Sequence, residues 1–196
     1  MTIASFCRAP LIAIVAGLAV SAGTAQAATV LHRGNGSEPQ SLDPAHVAID
    51  AEANIVRDLY EGLTAHDAAG RVVPGVAESW TVSPDGIVYT FTLRPDARWS
   101  NGDPVTADDF VFAFQRIENP KVAAAYPDAL YPVRNAVGIN RMGEAVDTLG
   151  VRAVDPGTLE ITLEQPTPWL PELLAGVAAL PVNQASVSEL GADFVK

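Results

Sequence analysis

Hydrophobic and polar residues alternate without a break over residues 88–93. Tyr89, Phe91 and Leu93 fall on one side, and Val88, Thr90 and Thr92 on the other. Period-two alternation of this kind predicts an antiparallel strand with one buried face. Two turn signals bracket it. Ser83-Pro84-Asp85-Gly86 places Pro and Asp at the centre of a tight turn with Gly next, which predicts a type I turn. Asn101-Gly102 is the dipeptide that a hairpin or sharp corner requires. Before the first turn, residues 77–82 carry Trp80 and predict a partner strand. After the second, the period becomes helical. Phe110, Phe114 and Ile117 form a stripe, Thr106 and Asp109 make a capping box, and Asn119-Pro120 ends the run.

The same reading extends outward. A strand is expected at residues 29–33, followed by a glycine-rich loop. From Asp50, expected as N-cap, a helix is marked by Ala51, Ile55, Leu59 and Leu63 at intervals of four, with Val56 and Tyr60 widening the stripe and Gly62 near its end. Residues 66–70 read as a turn. Strands are expected at 151–154 and 159–163 around Asp155-Pro156-Gly157, and a last helix at about 168–174. Residues 120–150 show no clear period. The order of elements predicts an α+β fold with a mainly antiparallel sheet.

Composition narrows the setting. Residues 1–27 carry one charge, Arg8, then a short apolar run, then Ala25-Gln26-Ala27, the pattern of a cleaved secretory signal peptide. The run is shorter than the roughly 20 residues a spanning helix needs. Cys7, the only cysteine, precedes the apolar run, so the mature chain has no thiol and must rely on a packed core. A periplasmic location is expected. Cleavage would leave the chain one unit more negative than its formal charge of −11, which argues against nucleic acid and anionic membranes as partners. Fifteen prolines and fifteen glycines imply frequent turns, yet 48% hydrophobic content excludes a disordered chain.

Candidate chemistry is sparse, and no enzyme activity, metal or cofactor is expected. Asp108 and Asp109 are adjacent carboxylates, but a first helical turn explains both through capping and the helix dipole. His32, His46 and His66 do not share the spacing of a helical metal pair. No Gly-x-Ser-x-Gly elbow is present, and Gly34-x-Gly36 lacks the third glycine of a phosphate loop. Most aromatics sit at core spacings. Tyr126 does not. It lies in the aperiodic run Ala123-Ala124-Ala125-Tyr126-Pro127, where it could offer a ligand both a ring face and a hydroxyl.

A resemblance adds to this reading. Gly36-Ser37-Glu38, Ser41-Leu42-Asp43-Pro44 and Arg57-Asp58-Leu59-Tyr60-Glu61-Gly62-Leu63 occur in order. Pro74-Gly75-Val76-Ala77-Glu78-Ser79-Trp80, Tyr89-Thr90-Phe91-Thr92-Leu93-Arg94, Trp99-Ser100-Asn101-Gly102 and Pro104-Val105-Thr106-Ala107 follow. Together they resemble the periplasmic oligopeptide-binding branch of the extracellular solute-binding proteins, family 5, which serve peptide and nickel ABC importers.

The resemblance implies a type II periplasmic-binding-protein clamp of two lobes closing on an extended peptide, with a small inserted domain. Residues 28–60 would open the first lobe, 61–182 would be the inserted domain, and 183–196 would return to the first lobe. The chain would then be an N-terminal fragment, because Asp193-Phe194-Val195 reads as interior sequence. The implied partners are an oligopeptide and an ABC permease in the inner membrane, and the implied state is a monomer. The segment His46, Val47, Ala48, Ile49 and Asp50 would pair with the peptide backbone like a strand, a sequence-tolerant mode. Tyr126 would line the ligand. Relatives carry an acidic residue where Ala48 stands and a histidine where Gly176 stands, so any contacts those groups make are missing here. Other cargoes of the family (nickel chelate, haem, oligosaccharide or opine) are the alternative. A secreted hydrolase using Glu61 or Glu78 is a more distant one.

Overall fold

The alternating segment becomes one of the two inner strands of a four-stranded antiparallel sheet. The structure is a computed structural model and describes residues 34–195. The expected signal segment, Cys7, His32 and the strand at 29–33 lie outside the described residues. A 3-10 turn at Pro44–His46 leads into α1 (Asp50–Leu59). β1 (Thr64–His66) and β2 (Val72–Pro74) then pair as a short antiparallel ribbon. Next come β3 (Ala77–Val82), β4 (Val88–Leu93), α2 (Ala107–Glu118) and α3 (Ala136–Met142). The hairpin β5 (Val151–Asp155) and β6 (Thr158–Thr162) follows, then α4 (Leu170–Leu174) and α5 (Gln184–Leu190). The sheet order is β3-β4-β6-β5, so the hairpin inserts β6 beside β4 after the α2–α3 excursion.

One face of the sheet forms the core. Phe91 lies opposite Leu159, and Tyr89 and Val151 both lie opposite Ile161, all buried. α2 packs over β5 and β6 with Phe110, Phe114 and Ile117 inward, the two Phe rings edge to face with centroids 6.2 Å apart. Each such side chain contributes about 1.5–3 kcal/mol by leaving water. The other face stays polar. Glu160 there takes a two-pronged contact from Arg152 at 2.9 and 3.0 Å.

The turns and caps behave as their chemistry dictates. The Gly86 amide donates to Ser83 O at 2.8 Å, with Gly86 at φ +73°. At Gly75 a Cβ would lie 2.5 Å from the Gly62 carbonyl, so the close approach of the chain after β2 to the chain before β1 requires glycine. Asp109 caps α2 by accepting from the Thr106 amide at 3.0 Å and its hydroxyl at 3.1 Å. Its carboxylate also accepts from Trp99 Nε1 and the Gln184 amide, which ties three segments together. Asp109 is therefore committed to structure.

Several expectations fail locally. Asp50 is the first helical residue of α1, not its cap; the cap position is Ile49. The helix buries Ala51, Ala53 and Val56, whereas Leu59 is 62% exposed, because α1 presents its Ala53–Val56 side to Val47 and Leu180. Leu63 is buried but lies beyond the helix. His66 ends β1 instead of opening a turn. α4 begins two residues later than expected. α3 and α5 had no visible sequence signal, since seven residues are too few to display a helical period.

α2 ends on an anomaly. Glu118 is fully buried, and neither carboxyl oxygen has a hydrogen-bond partner. Burial, with a smaller push from Asp128, raises its pKa from 4.5 to about 8. The folded protein thus holds a proton there that the unfolded chain releases above pH 4.5, so stability falls as pH rises from 4.5 to about 8. Glu118→Met should abolish that slope and stabilise the protein at pH 8 by about 1–3 kcal/mol. Urea unfolding of both proteins at pH 5 and pH 8 checks this; parallel pH profiles would contradict it.

Candidate functional site

The expected ligand-facing segment is built around one carboxylate. Glu52 Oε1 accepts from the amides of Gln40 and Ser41 at 3.0 and 3.3 Å, and Oε2 from those of Ala48 and Ile49 at 2.8 and 3.3 Å. Four backbone donors converge on one buried side chain, which folds residues 40–49 into a loop on the first turn of α1. The Ala48 amide bond leads in holding the Glu52 carboxyl below its ordinary 4.5.

A second carboxylate joins this loop to the helix layer. Asp43 is buried and accepts from both terminal guanidinium nitrogens of Arg116, Nη1 and Nη2, at 2.8 and 2.5 Å, together with the Ala45 amide at 3.0 Å and His46 Nδ1 at 2.9 Å. Burial alone would raise its pKa, but the hydrogen bonds and charge of Arg116 override it, and the net direction is down.

Three contacts then fasten the loop after α2 to the same segment. His46 Nε2 lies 3.0 Å from Val122 O, the Ala125 amide donates to Ala45 O at 2.8 Å, and the Tyr126 hydroxyl donates to Ala48 O at 3.2 Å. Ala123 between them has φ +55°, a left-handed conformation that costs a non-glycine residue about 1–2 kcal/mol. It persists because the bonds on either side leave the loop no alternative.

The expected site residues are therefore brought together, though not in equal roles. Val47 is 2% exposed and packs with Ala53, Val56 and Leu180, so its side chain belongs to the core. The His46 ring is engaged by Asp43 and Val122. Ala48 already has its amide on Glu52 and its carbonyl on Tyr126, which restricts the backbone groups it can lend. Ala48, Ile49 and Asp50 are exposed, and so is Tyr126. They form one surface edge of backbone, one carboxylate and one aromatic ring. Gly176 opens the 3-10 turn Val177–Ala179, and its amide donates to Leu173 O.

Among the described residues no three His, Cys, Asp or Glu side chains form a metal-holding group. A cavity of about 590 Å³ lies elsewhere, lined by Tyr60, Glu61, Arg94, Trp99 and Phe194. Glu61 pairs with Arg94 at 2.6 Å there.

Sequence reasoning missed Glu52 and Arg116. Glu52 stands three residues after Ile49, as in a capping box, but an apolar residue at the cap position hid the signal. Arg116 is 73 residues from Asp43, and no local pattern links them.

The chain resembles known proteins. The pattern of the Bacterial extracellular solute-binding proteins, family 5 Middle, matches residues 71–195. The chain belongs to this family. The periplasmic oligopeptide-binding protein OppA of Escherichia coli is 44% identical over 169 residues, 85% of this chain and 31% of OppA. The relative named "Probable deoxycholate-binding periplasmic protein YgiS", also from Escherichia coli, is 40% identical over 169 residues, 85% of this chain and 32% of YgiS. Haemophilus influenzae OppA in complex with RPPGFSPFR superposes with TM-score 0.79 at 43% identity, over 83% of this chain and 32% of that one. The chain spans about a third of the length of the family 5 relatives it matches. The match supports the α+β fold and the mainly antiparallel sheet.

Glu52 gives this site its first test. Because its pKa is lowered, its stabilisation is complete above 4.5 and is lost as pH falls through the depressed folded value. Glu52→Gln presents an NH2 where an acceptor is needed, and should cost about 2 kcal/mol near neutral pH. The gap to the parent should narrow in acid. Urea titrations at about pH 7 and pH 3 measure it, and a pH-independent gap would contradict the role.

Proposed function

We propose that this chain is part of the substrate-binding component of a bacterial ABC importer, capturing oligopeptides in the periplasm and delivering them to an inner-membrane permease. The observation that carries this reading is the close likeness to an OppA structure holding a peptide. On this reading residues 1–27 are the export signal, 28–60 open the first lobe, 61–182 form the inserted domain, and the first lobe resumes at 183. The exposed backbone and carboxylate of residues 48–50 and the Tyr126 ring form one wall of the peptide channel. The geometry suits that task. With the Ala48 and Ile49 amides held by Glu52, the edge offers carbonyl lone pairs to a peptide main chain, while an aromatic face accepts varied side chains. Transport needs no bond made or broken, since lobe closure itself signals occupancy.

A second reading keeps the fold and changes the cargo to an amphiphile, favoured by the 40% identity to YgiS. Mass spectrometry of ligand retained by the purified native gene product separates the two. Short peptides of varied sequence are expected, and heat should be released on mixing with random tri- to pentapeptides. Tyr126→Ala should weaken peptide affinity about tenfold. Retention of a steroid-like amphiphile, or no peptide and no heat, would overturn the peptide assignment.

A further inference from the structure

His46 is bound at both ring nitrogens, and neither partner can donate. Nδ1 lies 2.9 Å from Asp43 Oδ2 and Nε2 lies 3.0 Å from the Val122 carbonyl. Asp43, clamped by Arg116, is an ionised acceptor, and a carbonyl has no proton to give. A ring with one proton satisfies one partner and turns a bare lone pair toward the other. Only the doubly protonated ring satisfies both.

The surroundings make that choice consequential. Arg116 of α2 faces the pair through Asp43, and the Tyr60 hydroxyl lies close enough to feel both charges. The 3-10 turn Val177–Ala179 packed against Pro44–His46 carries no titratable side chain. Lys121 and Tyr126 are the titratable groups of the loop itself. The Val122 contact sits beside Ala123, whose left-handed backbone favours release once a restraint is lost. Two further bonds, from the Ala125 amide and the Tyr126 hydroxyl, depend on the same loop position.

We infer that His46 is a positioning residue, a proton-dependent clasp that holds the Tyr126 loop against residues 45–48 while the ring carries both protons and slackens it when one leaves. His46 itself is not a ligand-contacting group in this scheme. The clasp closes within the ligand-free chain, so it stands whether the cargo is a peptide or another solute. It would make the order of the Tyr126 loop depend on the protons of one ring.

The test is nitrogen-15 NMR of the full chain without ligand, following the His46 ring nitrogens together with hydrogen exchange at the Ala125 amide. Corrected for intrinsic exchange, Ala125 protection should fall about tenfold as the ring passes from two protons to one, with the same midpoint. His46→Lys keeps a charge with three donors, and should hold protection high and flat across that range. His46→Phe should be low at every pH; if it fails to fold, the parent titration and His46→Lys decide the matter. Repeating the series with Glu118→Met removes the other titrating group at the loop's root. The inference is overturned if the ring loses its proton with Ala125 unchanged, or if His46→Lys titrates like the parent.

Discussion

The pairing of Asp43 with Arg116 is the contact on which the candidate site depends. Asp43 organises its own turn through Ala45 and His46, and Arg116 projects from the helix that covers the sheet. Removing two charges from water is costly, and two-pronged geometry with further hydrogen bonds is what makes such a pair tolerable. The consequence is positional. A loop after α2 and a segment before α1, some 76 residues apart, meet at a fixed register. Glu52 then sets the shape of that segment, and the Tyr126 hydroxyl closes it.

This division of labour gives several carboxylates a structural task. Asp109 looks like a candidate acid or base in the sequence, yet it, Asp43 and Glu52 each accept hydrogen bonds that hold chain segments in place. Asp43 and Glu52, each supplied with several donors, are stabilised as anions. Such a site can present a surface, and a family of solute-binding proteins requires that. Glu118 is the exception, a buried carboxyl without partners at the root of the Tyr126 loop.

Much of the fold was legible in the sequence. The β3–β4 turn, the alternation of β4, the stripe of α2 and the β5–β6 hairpin each carried a local signal and formed where expected. Local signals failed where a long-range contact decided the outcome. Leu59 fits the helical stripe by spacing, but α1 turns its Ala53–Val56 side inward because Val47 and Leu180 wait there. The sequence pointed to Tyr126 and residues 46–50 as a candidate site, and the fold brings them to one edge. The internal wiring of that site was not legible, because Glu52 lacked a conventional cap partner and Arg116 meets Asp43 only through tertiary structure. Val47 turns its side chain into the core, which a five-residue loop without a period does not announce.

The most direct measurement is a double-mutant cycle on Asp43→Asn and Arg116→Met, read by urea unfolding of the full chain. If the pair anchors the site, each single variant should cost about 3 kcal/mol, and the double variant should cost little more than either. Additive single costs below about 1 kcal/mol would show that residues 45–48 and the Tyr126 loop are held together by something else.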